Sequence, residues 1–153
     1  MDNLYTIKRA TPSIEVYSNP CASSGLSPKA HAALAIGLPN SLFAVQIIYH
    51  TPSDEQPQTT PEGDPIGMGR VIGDGGLFFQ VVDIAVPAHQ GKGLRKLIMR
   101  QIESWLMENV PKVGYVSLAA DGKAKDLLTQ FGFKETSLGD STSVTVAWPV
   151  VRE

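Results

Sequence analysis

A chain of 153 residues, 42% hydrophobic and 18% charged, has enough apolar material for one core and too little length for two, so residues 1–153 are expected to form a single domain. A formal net charge of −2 excludes broad electrostatic binding to nucleic acid or to an anionic membrane, because there is no basic excess to release counterions, and any anion site must be local. The single cysteine, Cys21, permits no intramolecular disulfide and has no His or Cys at metal-ligand spacing, and no apolar run is long enough to cross a bilayer or serve as a signal sequence; the expectation is a cytoplasmic, metal-free protein, monomeric or homodimeric.

Leu4 to Ala10 has the alternation of a half-buried strand, and Thr11-Pro12-Ser13 offers its end and the start of a short helix. Two prolines, Gly25 and three serines between Asn19 and Pro28 interrupt any long helix, after which Ser27-Pro28 suits the N-cap and first position of a second helix running through Ile36 and closed by Gly37. Ser41 to His50 and Ile66 to Ile72 are β-branched and aromatic runs that predict the second and third strands. Between them Thr51 to Pro65 carries four prolines and four acids with no base, the composition of a long hairpin loop. Gly73-Asp74-Gly75-Gly76 is turn chemistry, and Leu77 to Val86 is a nearly continuous apolar strand of the kind covered on both faces, the predicted β4. From Gly93 onward Leu94, Leu97, Ile98, Ile102, Trp105 and Leu106 repeat at helical spacing until Pro111. Val113 to Ala119 predicts β5, Gly122 to Gln130 a further helix, and Phe133 through Ser143 to Trp148 the closing strands. The class is mixed α/β, with helices between strands early and late and a hairpin in the middle.

The chemistry concentrates where β4 hands over to the helix after Gly93. A helix N-terminus presents unpaired N–H groups and a partial positive charge, which suits a phosphate if the approaching backbone is unobstructed. Gly91 and Gly93 remove the obstruction, while Lys92, Arg95 and Lys96 place full positive charges at the same end, an arrangement unfavourable to a bare helix dipole and favourable once an anion is present. The other reading is a tight turn with solvated cations. A P-loop would need G-x-x-x-x-G-K-S/T, and a dinucleotide fold a third glycine after an early strand; neither is found.

Asp83-Ile84-Ala85-Val86 followed by Gln90-Gly91-Lys92-Gly93-Leu94 resembles the acyl-CoA motif of the GNAT superfamily of N-acetyltransferases, Arg/Gln-x-x-Gly-x-Gly/Ala after a strand. Ala119-Ala120-Asp121-Gly122 and Leu127 to Phe133 are similar to later parts of the same family pattern. The resemblance implies a central mixed, mostly antiparallel sheet flanked by helices and splayed between β4 and β5, with the pantetheine arm of acetyl-CoA inserted there against the backbone of Ile84, Ala85 and Val86. It also implies that Gln90, Gly91, Lys92, Gly93, Leu94, Arg95 and Lys96 hold the pyrophosphate and that Asp121 lies near the cofactor arm. Two positions depart from the pattern: Arg95 stands where the family has Gly or Ala, and Leu128 where many relatives have a tyrosine that protonates the leaving thiolate.

An acceptor amine must lose a proton to attack, and Asp83, an acid in an otherwise apolar strand at the predicted cleft, is the expected base; such an acid either has a raised pKa or is paired. His31, His89, Tyr49 and Tyr115 are the other candidates. The expectation is thus an acetyl-CoA-dependent N-acetyltransferase acting on a small primary amine by direct attack in a ternary complex, the alternative being a non-catalytic acyl-CoA-binding or sensing domain of the same fold.

Overall fold

The structure, a computed structural model, describes residues 4–20, 22–50, 63–86, 93–120, 134–136 and 144–149. The elements in chain order are β1 (Tyr5–Lys8), α1 (Ile14–Ser18), α2 (His31–Gly37), a 3-10 turn (Leu38–Asn40), β2 (Phe43–Tyr49), β3 (Asp64–Gly73), β4 (Phe78–Ala85), α3 (Leu94–Asn109), β5 (Tyr115–Ala120), β6 (Lys134–Thr136) and β7 (Val144–Pro149). They build one seven-stranded sheet in the order β1-β2-β3-β4-β5-β7-β6. Every pairing is antiparallel except β4 with β5. The mixed, mostly antiparallel sheet expected from the sequence is therefore present.

Helices cover both faces. Ile98, Met99, Ile102 and Leu106 of α3 are fully buried against Val45, Ile47, Val71, Phe79 and Val81 on one side. On the other side Tyr17 of α1 and Leu34 of α2 pack over Met68 and Ala85. Burial on both faces is why β2 reads as an unbroken apolar run with Gln46 as its buried polar exception, whose Nε2 donates to the Ala10 carbonyl at 2.9 Å. Gly69 on β3 lets α3 sit this close, since a Cβ there would stand 2.7 Å from Ile98 Cγ2 and 3.0 Å from Ile102 Cδ1. Trp105, on the same helix, stacks on Phe43 at 5.5 Å and meets Phe79 edge-on at 6.3 Å.

Three expectations change. The helix predicted from Ser27-Pro28 begins at His31, with an extended Ala30 as N-cap and no side-chain cap, because Leu26 packs toward the Tyr17 cluster and this tertiary contact overrides the local Ser-Pro signal. Asp64 and Pro65, expected in the loop, open β3 and pair with Tyr49 and Ile48; the loop positions 51–62 lie outside the described residues. The apolar run of β4 is covered on one face only over its first half: Phe79 and Val81 are buried, while Phe78 is 62% exposed beside Tyr115. The helices α1 and α2 reach the far half of the strand, at Asp83 and Ala85. The predicted helix Gly122 to Gln130, with Leu128, also lies outside the described residues.

Candidate active site

The first half of β4 pairs with β5 in parallel, from Phe78 with Tyr115 to Val81 with Leu118. There the pairing stops. The remaining β4 residues, Val82 to Ala85, have no β5 partner, and Ala119 and Ala120 pair only with β7, at Thr145 and Val144. Two parallel strands that part in this way leave backbone donors and acceptors facing a cleft, and such groups need a partner.

The same half of β4 carries a bulge. Met68 pairs with Ala85 and Arg70 with Val82, so β4 uses one more residue than β3 over this interval. Asp83 takes up the excess in a left-handed conformation, φ 57°, which costs an L-residue about 1–2 kcal/mol unless its side chain is held. It is held from both sides. Its Oδ2 accepts from Arg70 Nε at 2.8 Å and faces Arg70 Nη2 at 2.8 Å, while its Oδ1 accepts from the Tyr17 hydroxyl at 3.0 Å. Arg70 Nη1 in turn donates to Ser41 Oγ at 2.7 Å and to the Gly37 carbonyl at 3.4 Å, so one guanidinium ties β3, the bulge and the end of α2 together. Burial, and then the neighbouring Asp83 charge and hydrogen bond, push the Tyr17 phenol up to about 12, so it stays protonated throughout the neutral range.

Of the two outcomes expected for Asp83, the structure shows pairing rather than isolation. Arg70 was not singled out in the sequence. The signal was available: an arginine and an aspartate, each alone in an apolar strand, on two strands joined by the Gly73 to Gly76 turn. Tyr115, a candidate base, lies at the paired end of β4 and β5 with Phe78, and Tyr49 meets Tyr5 on the first two strands with the rings tilted and their centroids 5.4 Å apart; neither joins the Asp83 cluster. His31 lines a cavity between α1 and α2 that Tyr17 also lines. His89 lies outside the described residues.

Beyond Val86 the chain re-enters the described residues at Gly93, the N-cap of α3. Gly93 has φ 72°, a left-handed geometry natural for glycine, and a Cβ added there would meet nothing within 4 Å. The first helical bond runs from Leu97 N–H to the Gly93 carbonyl, so the amides of Leu94, Arg95 and Lys96 have no partner within the helix, and Gly93 has no side chain to cap them. No acidic residue occupies the first turn. Leu94 is buried in the core beneath, Arg95 is half-buried and Lys96 exposed. Ile84 and Val86 are half-buried and Ala85 fully buried where β4 leaves β5. Gln90, Gly91, Lys92 and Asp121 lie outside the described residues. What is described is an uncapped helix end flanked by two cations, on the chain that leaves the unpaired half of β4, an arrangement suited to an elongated molecule with an anionic end.

No protein-family model and no curated protein sequence matches the chain, but solved structures do. A protein of unknown function from methicillin-resistant Staphylococcus aureus, described as a probable acetyltransferase, is 38% identical, with 90% of this chain and 95% of that one covered and a TM-score of 0.71. The Escherichia coli ribosomal-protein-S18-alanine N-acetyltransferase shares the fold at 16% identity and a TM-score of 0.68, over 98% of this chain and 96% of that one. A GNAT family acetyltransferase from Elizabethkingia anophelis, solved with acetyl-CoA bound, shares it at 11% identity and a TM-score of 0.58, over 95% and 98%. Among the described residues no helix is long and apolar enough to cross a membrane.

Proposed function

The chain belongs to the GNAT superfamily of N-acetyltransferases, and from that premise we propose that it transfers the acetyl group of acetyl-CoA to a small primary amine by direct attack within a ternary complex. The observation that carries this reading is the parting of β4 and β5 beyond Val81 and Leu118, on the strand that leads toward the uncapped start of α3. The backbone of Ile84, Ala85 and Val86 offers hydrogen bonds to the amides of a pantetheine arm lying in the cleft. The amides of Leu94, Arg95 and Lys96, with the segment from Gln90 to Gly93, receive the pyrophosphate, and the Arg95 guanidinium adds a charge-assisted contact. Asp121, directly after β5, is assigned to the side of the same arm.

The thioester supplies an activated acyl carbon. The amine nitrogen forms the C–N bond, the C–S bond breaks with its electrons going to sulfur, and the proton shed by nitrogen passes through water to the thiolate, so amine and acetyl-CoA give amide and free thiol. Asp83 enters this scheme as a positioning group. Its carboxylate already accepts from Arg70 and Tyr17, and this network holds the bulge in the half of β4 that has no β5 partner. Calorimetric titration with CoA, followed by thiol release from acetyl-CoA over a panel of amines, tests the reading. Binding without thiol release from any amine would leave a non-catalytic acyl-CoA-binding domain as the better description.

A further inference from the structure

The segment between α1 and α2, together with those helices, bounds a cavity of about 460 Å³, within the range of small-molecule sites. Among the described residues its titratable lining side chains are Tyr17, Lys29 and His31, and no carboxylate lines it. Lys29 donates to the neutral Ser27 carbonyl at 3.1 Å and has no acidic partner among the described residues. The hydroxyls of Ser18, Ser24 and Ser27 stand on the same wall and make no side-chain hydrogen bond among the described residues. The wall thus presents an ammonium bonded, among the described residues, to a neutral carbonyl and to no acid, and three hydroxyls without a described partner, the chemistry that receives an anion.

Tyr17 stands between this cavity and the unpaired half of β4. It lines the cavity, and its hydroxyl reaches Asp83, which lies on the half of β4 that has no β5 partner. Resting on the acetyl-transfer reading above, we propose that this cavity holds the acceptor, and that the acceptor is a small amine that also bears a carboxylate. Lys29 and the serine hydroxyls anchor the carboxylate, and the amino group points past Tyr17 toward the cleft. A polyamine would bring a second ammonium against Lys29 with no acid on the described wall to receive it, and a purely apolar amine would desolvate the ammonium and hydroxyls without replacing their hydrogen bonds to water.

The test uses three sets of compounds: L-amino acids, the corresponding amino amides and decarboxylated amines, and spermidine. Each is titrated calorimetrically into the CoA-saturated protein, and each is assayed for thiol release with acetyl-CoA. The expected result is that at least one amino acid binds and turns over at least ~10-fold better than its amide, and that Lys29→Ala removes this preference through KM while kcat and CoA affinity hold, consistent with loss of one charge-assisted contact. Lys29→Arg should restore it. Preference for amides, decarboxylated amines or spermidine, or a carboxylate preference indifferent to Lys29→Ala, overturns the assignment while the transferase reading stands. Lys29-dependent binding of an amino acid with no thiol release from any compound upholds the anion site and removes the transferase reading. Neither binding nor turnover with any compound overturns both.

Discussion

The Tyr17 hydroxyl donates to Asp83 Oδ1 at 3.0 Å across 66 residues of sequence, fastening the first helix to the one non-glycine residue among those described that has a left-handed backbone. Arg70 holds the other carboxylate oxygen of the same residue. Asp83 is therefore a joint between α1, β3 and β4 at the edge of the cleft, and its substitution separates a structural role from a chemical one. Asp83→Asn keeps an acceptor for Tyr17 and removes the charge that faces Arg70. We expect lower stability by urea unfolding and a turnover loss well short of the ~100-fold typical of a missing general base, with the acid limb of the pH–rate profile unmoved. A loss of ~100-fold or more in a folded variant, with that limb shifted, would instead identify Asp83 as the base.

Tyr17 predicts an alkaline signature. Its pKa rises from 10.0 to about 12 on folding, first through burial and then through Asp83, so the folded state holds this proton more tightly than the unfolded one. The stabilisation is complete below pH 10 and is lost as the pH climbs toward about 12, where the phenol ionises in the folded protein as well. Urea unfolding of Tyr17→Phe should show a shallower decline of stability across that interval than the parent. Identical slopes would show that Tyr17 titrates alike in both states.

Gly93 and Arg95 test the start of α3. Gly93→Asp adds a carboxylate where phosphates are proposed to sit; space exists for its Cβ, and the left-handed φ of 72° costs about 1–2 kcal/mol, less for Asp than for most residues. CoA affinity should fall by ~100-fold or more from like-charge apposition, with the fold retained by circular dichroism. Arg95→Ala should weaken CoA by about 1 kcal/mol, roughly 5-fold, for loss of a half-exposed phosphate contact. Tighter binding by Arg95→Ala would mean that the side chain crowds the site.

Gly69 sets how closely α3 lies on the sheet. A Cβ at 2.7 Å from Ile98 Cγ2 forces the helix or the isoleucine to move, so Gly69→Ala should cost about 1–3 kcal/mol in chemical denaturation. Ile98→Ala, which removes that methyl, should make the same change at Gly69 less costly than it is alone. Additive losses would show that the strain is taken up elsewhere.

Much of this architecture is written in short stretches of sequence. The alternation of β1, the Asp74 turn, the apolar stripe of α3 and the glycine at its start each depend on neighbours within a few residues, since side-chain period and backbone preference are local properties. Asp74 shows the type: its Oδ1 accepts from the amides of Gly76, Leu77 and Phe78 at 2.9, 2.8 and 3.1 Å, and those contacts hold its carboxyl below the usual carboxylate range. The family motif around Gly93 was legible for the same reason. Tertiary structure alone decided that Asp83 would be paired, because Arg70 reaches it only through the hairpin register and Tyr17 only through the packing of a helix 66 residues away. It also decided that α2 begins at His31 rather than at Pro28, that β4 and β5 part after Val81, and that Lys29 lines a cavity whose described wall holds no acid. Each of these depends on which distant surfaces meet, and that is settled by competition among many burial and pairing options, to which residue type at a single position contributes only a small part.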